Sequence, residues 1–181
     1  MDNASTNSYK TVEINITHPI RATQLAIDSF KRQKLGHGVV VIISSIAAQM
    51  APLPTPIYAA SKHAMSGFTR AFAHLEPTLN IRINAVAPGV VQTPIWTEDK
   101  LKWFDEKEDT WVTAARIAEV MLDLVQKEEN VGGTVLEVGA ESVRRVEALN
   151  DPGPQGKGMT VHNLGEAVAN TYHLIETKFG K

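Results

Sequence analysis

The sequence predicts an α/β domain built on a doubly wound parallel sheet, and two observations predict it. Val39-Val-Val-Ile-Ile43 is an unbroken β-branched run of the kind found in strands buried on both faces, and Ile81-Arg-Ile-Asn-Ala-Val86 and Thr134-Val-Leu-Glu-Val138 are further strand candidates. Before and between them, apolar residues recur at helical spacing. Helix, strand, helix, strand, helix, strand is the rhythm of right-handed βαβ crossovers, and in such sheets ligands sit beyond the carboxyl ends of the strands.

The first element is a long helix from about Tyr9 to Lys34. Val12, Ile14, Ile16, Ile20, Ala22, Leu25, Ala26 and Phe30 follow helical spacing, Lys31, Arg32 and Lys34 suit the negative end of its dipole, and Pro19 opposes it. Gly36 and Gly38 end it ahead of the first strand. A loop holding Pro52, Pro54 and Pro56 leads into a second helix from about Ile57 to His74, on which Ala60, Met65, Phe68, Ala71 and Phe72 share a side. Pro88 and Gly89 stop the second strand. Thr93 to Thr110 reads as an irregular, partly charged loop with Trp96, Trp103 and Phe104, and Trp111 stands just beyond it. Loops of that length are usually functional or mobile. A helix near Ala114 to Gln126 precedes the third strand. Beyond Gly139, Asp151 to Gly158 reads as turn-rich linker and Leu164 to Ile175 as one more short helix. The expected division is a domain over residues 1–139 and a C-terminal extension over 140–181. Ser44, Ser45 and the segment Pro88 to Thr93 follow strands and so belong on the ligand side.

Composition narrows the function. The 181 residues make one ordinary domain, 43% hydrophobic and 21% charged with a formal net charge of -2 at pH 7, so a basic nucleic-acid footprint is absent. The lack of cysteine removes disulfides, thiolate metal sites and cysteine nucleophiles, and the six histidines never pair at zinc-motif spacing, so no metal site is expected. No apolar run approaches the roughly 20 residues of a membrane span, and the polar opening Met1 to Ser8 carries no signal-peptide core. The expectation is a soluble, cytoplasmic protein acting on a small molecule, with neither nucleic acid nor membrane as partner.

Tyr58 and Lys62 stand four apart at the start of the second helix, where their side chains share a face. An ammonium beside a phenol favours the phenolate, which makes a tuned acid/base. Alone, Tyr-x-x-x-Lys is weak, since roughly one chain of this size in three carries it by chance and its plain reading is a surface helix pair. Ser45, at a strand end 13 residues before Tyr58, and Asn15 on the preceding helix change that weighing.

With these residues in view, the sequence resembles the short-chain dehydrogenase/reductase family, in which a Ser, a Tyr-x-x-x-Lys and a helix-borne Asn form a catalytic tetrad. The likeness runs from about Asn15 to Val138. Ile43-Ser-Ser-Ile-Ala-Ala48 and Ile57-Tyr-Ala-Ala-Ser-Lys-His-Ala-Met-Ser-Gly-Phe-Thr-Arg70 resemble the family's central block. Arg82-Ile-Asn-Ala-Val-Ala-Pro-Gly-Val-Val-Gln-Thr93 is similar to its Asn-x-x-x-Pro-Gly-x-x-x-Thr segment.

The resemblance implies the C-terminal, catalytic part of a Rossmann-like domain, and hydride transfer between NAD or NADP and a secondary alcohol or ketone. In it Tyr58 is the acid/base, Lys62 supports the phenolate and hydrogen-bonds the nicotinamide ribose, Ser45 holds and polarises the substrate oxygen, and Asn15 positions a water linking Lys62 to bulk solvent. The implied cofactor-binding set is Tyr58, Lys62, Pro88, Gly89, Val91 and Thr93. The backbone of Val91 and the hydroxyl of Thr93 meet carboxamide and phosphates, and the bare Gly89 backbone allows close approach. Asn84 is read as bracing the sheet. Because the family's segment after Pro-Gly forms a mobile lid, Trp96, Trp103 and Trp111 are candidates to cover an apolar substrate, with core packing the equal alternative. His18, His37, His63 and His74 are read as solvated or helix-packed, and Asp105 to Asp109 as solvated surface.

A complete family member begins with a strand, a glycine-rich turn and a helix whose N-terminus holds the pyrophosphate, followed by the residue that selects NAD or NADP. No Gly-x-x-x-Gly-x-Gly turn follows a strand in this sequence, so roughly 80 to 100 residues of the mononucleotide-binding half are expected to be lacking. Asp2-Asn-Ala-Ser5 is faintly similar to the Asn-Asn-Ala-Gly turn closing that half. NAD and NADP therefore stay open. Two other readings stand beside the enzyme. One is a non-catalytic half-domain acting as an interaction or dimerisation partner, since the family often pairs subunits through helices corresponding to residues 10–34 and 57–75; a full-length chain would then be a homo-oligomer. The other is hydrolysis through Ser45 with Lys62 as its base, which lacks a nucleophile elbow and gives Tyr58 no role.

Overall fold

A computed structural model of the chain describes residues 9–50, 52–101, 104, 105, 107–148, 169, 172, 173, 176 and 177. Helix α1 (Lys10–Val12), a π-helical turn (Glu13–Thr17) and α2 (His18–Arg32) form one helical path, matching the long first helix. Pro19 sits in the first turn of α2. The widened turn before it accommodates the proline ring and its missing N–H. There follow β1 (Gly38–Ile43), a 3-10 turn (Ile46–Gln49), α3 (Pro56–Ala71), α4 (Leu75–Leu79), β2 (Ile81–Pro88), α5 (Glu98–Leu101), α6 (Ala114–Gln126), β3 (Val135–Val138) and β4 (Val143–Arg145).

The sheet runs β1-β2-β3-β4, parallel across β1–β2 and β2–β3, with β4 antiparallel at one edge. Helices cover both faces. On one, Ile27 of α2 and Met65 of α3 bury against Ile42, Ile81, Ile83, Ala85, Ala87 and Val135. On the other, Ile117, Val120 and Leu124 of α6 bury against Val86 and Val138. Each Val, Leu, Ile or Met side chain so withdrawn from water stabilises the fold by about 1.5–3 kcal/mol.

Three features differ from the sequence reading. The second helix ends at Ala71, and a separate one-turn helix, α4, closes on Asn80, whose φ of 53° is left-handed and whose Nδ2 donates to the Gly36 carbonyl at 2.8 Å. Three exposed residues beyond Gly139 form β4, locked by a bidentate pair in which Arg144 Nε and Nη2 reach Glu137 Oε1 and Oε2 at 2.8 and 2.6 Å. A short α5 interrupts the long loop. Within the expected last helix, Ala169, Tyr172 and His173 are helical, as are Glu176 and Thr177, and the Tyr172 hydroxyl donates to the His74 carbonyl at 2.7 Å. Asp2 to Ser5, Trp103 and the Asp151 to Gly158 linker lie outside the described residues. Among the described residues, no helix is long and apolar enough to cross a membrane, and no group of three His, Asp or Glu stands where it could hold a metal.

Asn84 is fully buried, donating from Nδ2 to the Asn130 carbonyl at 2.9 Å and accepting the Thr134 N–H at Oδ1, 3.1 Å away. It ties β2 to the loop entering β3, the bracing expected of it. Asn84→Leu removes both bonds from a fully buried position, while the Thr134 N–H keeps the Val131 carbonyl at 3.1 Å and the Asn130 carbonyl keeps Arg82 Nη1 at 3.3 Å, so we expect a loss of about 1–3 kcal/mol, read as a lower urea midpoint at unchanged m-value.

Among the described residues, the remaining edge of β1 is open. Gly38 and Ser44 address β2, donating to the carbonyls of Asn80 and Val86. Alternate residues of a parallel strand point to opposite edges, so the peptide groups of Val39, Val41 and Ile43 face away from the sheet. Among the described residues no strand pairs with them.

Candidate active site

The carboxyl ends of β1 and β2 open on the same side, as the parallel register dictates. Two serines end β1 with different surroundings. Ser44 is buried, its hydroxyl bonded to the Lys62 carbonyl at 3.2 Å and to Ser66 Oγ at 2.8 Å, so it ties β1 to α3. Ser45 accepts the Ala47 N–H at Oγ, 3.1 Å away, which opens the 3-10 turn. Its own hydroxyl proton remains available to donate outward.

Tyr58 and Lys62 lie in the first turns of α3, on one face as their spacing requires. Tyr58 is 38% exposed whereas Lys62 is 8% exposed, and Lys62 Nζ lies 5.6 Å from the phenol ring centroid. Nζ donates to the Ile43 carbonyl at 2.9 Å, one of the groups on the open edge of β1. Burial of the ammonium lowers the pKa of Lys62 from the ordinary lysine value.

Asn15 is carried by the π turn, a distortion that often marks functional positions. Its Nδ2 donates to Ser61 Oγ at 3.1 Å, and Ser61 Oγ donates to the Tyr58 carbonyl at 2.7 Å. The helix bearing Asn15 is thereby tethered to the turn bearing Tyr58. Pro19 cannot supply an α-helical donor to the Asn15 carbonyl four residues back. Asn15 and Lys62 also line one groove of about 400 Å³ with Ile14, Pro19, Val41 and Ile43, along the open edge. The structure thus joins Asn15 to the turn bearing Tyr58 and sets the Lys62 ammonium near the Tyr58 ring, while Ser45 follows directly on Ser44, which bonds the Lys62 carbonyl.

Pro88 ends β2 opposite Val138, and Gly89 donates to the Val138 carbonyl at 2.9 Å. A Cβ built on Gly89 would meet that carbonyl at 3.4 Å and Val112 Cγ2 at 3.6 Å. These are ordinary contacts, so packing within the fold does not require glycine there. Val91 forms an isolated parallel bridge with Val112, and its carbonyl accepts Trp96 Nε1 at 2.8 Å. Trp96 and Trp111 meet edge to face at 5.3 Å, and Trp111 stacks on Phe104 at 3.9 Å. With half-buried Thr93, Gln92 and Leu101 these rings line a second pocket of about 330 Å³. Of the histidines, His63 is helix-packed, Nδ1 lying 2.9 Å from the Ala59 carbonyl.

Sequence reasoning passed over Ser61 as a link, and gave no role to Gln49 at the end of the 3-10 turn. Ser61 sits inside the Tyr-x-x-x-Lys interval, so its helical spacing offered a signal. A lone glutamine in a proline-rich loop offers none.

A strand-ending serine, a Tyr-x-x-x-Lys pair and a tethered Asn on a doubly wound sheet define a class of dehydrogenase-like domain. A family model described as short chain dehydrogenase matches residues 2–102. The chain belongs to the short-chain dehydrogenase family. It is similar to rat 15-hydroxyprostaglandin dehydrogenase [NAD(+)], 39% identical over 102 residues that cover 52% of this chain and 38% of that protein. Human dehydrogenase/reductase SDR family member 4 is 38% identical over 111 residues, 60% of this chain and 37% of that one. Among solved structures, 4-hydroxyisoleucine dehydrogenase complexed with NADH and succinate superposes with a TM-score of 0.61 at 25% identity, covering 71% of this chain and 55% of that one. A variant of the actinorhodin polyketide ketoreductase with NADPH shares the fold, with a TM-score of 0.61 over 76% of this chain and 60% of that one. The matched segment amounts to little more than a third of each curated relative.

Proposed function

We propose that this chain carries the catalytic part of a nicotinamide-dependent oxidoreductase that interconverts a secondary alcohol and its ketone. The observation that carries the reading is the solvent-facing phenol of Tyr58 beside the buried ammonium of Lys62, with the Ser45 hydroxyl at the adjoining strand end. A bound nicotinamide supplies the acceptor for the hydride. In oxidation, Tyr58 as phenolate takes the hydroxyl proton while Ser45 donates to the same substrate oxygen. Lys62 holds positive charge beside the phenolate. Asn15, with its carbonyl deprived of an α-helical donor by Pro19, holds the water through which Lys62 exchanges protons with solvent. Reduction reverses each transfer.

The residues fit the group. Gly89, whose lack of side chain the fold itself does not demand, leaves its backbone open to close approach, and Val91, Thr93 and Pro88 continue that surface. Among the similar proteins are an NAD(+)-dependent dehydrogenase and enzymes complexed with NADH and with NADPH, so the coenzyme is NAD or NADP. The open edge of β1 and the covered share of the relatives support a whole protein in which further strands, bearing the pyrophosphate site, continue the sheet. The aromatic pocket supports an apolar substrate body.

The test is label transfer. Protein purified from the cells that make it, given NAD or NADP and a secondary alcohol deuterated at the carbinol carbon, should move deuterium to the reduced nicotinamide. Absence of transfer with both coenzymes across aliphatic and aromatic alcohols overturns the reading.

A further inference from the structure

We infer that Gln49 is a substrate-binding residue whose side-chain amide nitrogen reads a second, uncharged oxygen on the substrate, near the reacting carbon. The inference rests on the catalytic reading above for the place of the substrate, and it adds a specificity element to that site.

Gln49 closes the 3-10 turn that begins directly after Ser45, on the ligand side of the sheet. Its Oε1 accepts from Arg144 Nη2 at 3.5 Å, a long contact that favours this amide orientation, because a guanidinium attracts the oxygen and repels the NH2 group. Arg144 is itself held by Glu137, through the paired contacts of 2.8 and 2.6 Å that join β3 to β4. Glu137 and Arg144 are therefore positioning residues for Gln49. The outcome is an amide nitrogen that is buried and has no hydrogen-bond partner among the described residues. Such a donor costs about 1–3 kcal/mol when left unpaired, so its presence at a strand-end site points to an acceptor brought by a ligand.

The charge balance selects that acceptor. The Arg144 charge is matched by Glu137, so the site offers a neutral amide donor and calls for a hydroxyl or carbonyl oxygen rather than a carboxylate. The side chains next along the chain, Met50 and Leu53, are 52% and 88% exposed and apolar, which suits a substrate whose body beyond the second oxygen is hydrocarbon.

The experiment is a binding titration of the 181-residue chain, labelled with nitrogen-15, with three probes that share one carbon skeleton: 2-hexanol, 2,3-hexanediol and 3-hydroxyhexanoate. The Gln49 side-chain NH2 signals are assigned by their loss in Gln49→Leu. We expect the diol to bind at least fivefold more tightly than the other two and to shift those signals. Gln49→Leu should bring the ratio of diol to 2-hexanol affinity to one, and Gln49→Glu, which turns the donor into an acceptor, should do the same. Arg144→Met should weaken the preference and broaden the NH2 signals. Equal affinity for diol and 2-hexanol in the wild-type chain, tighter binding of the carboxylate, an undiminished ratio in Gln49→Leu, or no saturable binding of any probe overturns the inference. Because binding alone is read, Tyr58→Phe should leave the diol preference intact, and failure of the hydride-transfer reading would show separately in the label-transfer experiment.

Discussion

Replacing Tyr58 by phenylalanine should lower kcat by about 10²–10⁴ while leaving coenzyme affinity nearly unchanged. The substitution removes one oxygen from a side chain that is 38% exposed, so the fold loses little, and an urea midpoint close to wild type would establish that. General acid–base catalysis by a positioned group contributes about 10²–10⁴ in rate, and the phenol is the titratable group at this strand end that faces the solvent side. The measurement is steady-state turnover of a secondary alcohol by the purified protein, with coenzyme binding followed by fluorescence. Equal losses in kcat and kcat/KM are the signature of an interaction made only in the transition state. Turnover at the wild-type rate would remove Tyr58 from the acid/base role.

Lys62→Met should separate activity from stability. Activity falls, by about 10²-fold or more, because the phenolate loses its neighbouring positive charge. Stability rises at neutral pH. Burial lowers the pKa of Lys62 in the folded chain, so the unfolded chain holds that proton to higher pH than the folded one. Wild-type stability consequently climbs with pH from the lowered folded value up to the ordinary lysine value near 10.4, and below that window the charged side chain costs the fold its full penalty. The methionine variant lacks that dependence. Its advantage in urea midpoint should be largest near pH 7 and vanish above the window. The hydrogen bond it gives up is to the Ile43 carbonyl, on an edge that water reaches, so its loss costs little. A lower midpoint for the variant at pH 7 would mean that the hydrogen bond outweighs desolvation.

How much of this was legible in the sequence depends on where each signal is stored. β1 and α6 were legible to within a residue, because full burial of a parallel strand and the apolar stripe of a surface helix are written in consecutive residues. The π turn was not, since one extra residue in a helical path hardly alters the apolar periodicity around Pro19. β4 was not, since its residues Val143, Arg144 and Arg145 are exposed and held by a cross-strand ion pair rather than by a buried face. Asn15, Ser45, Tyr58 and Lys62 were singled out through the family's spacing, whereas the contacts that join Asn15 to the Tyr58 turn and seat the Lys62 ammonium near its ring are properties of the packed helices that no spacing rule states. The Asn15–Ser61 tether spans 46 residues and Gln49–Arg144 spans 95, so both arise only when the sheet is assembled.

The bare edge of β1 bears on what the chain can pair with. Val39 and Val41 offer donors and acceptors in a stretch with no lysine, proline or bulge to discourage annealing, while the Ile43 carbonyl is taken by Lys62 Nζ. Wherever a further extended segment pairs with it, these main-chain groups are satisfied and the edge is capped. Left unpaired, the same edge is a template on which another extended segment can grow.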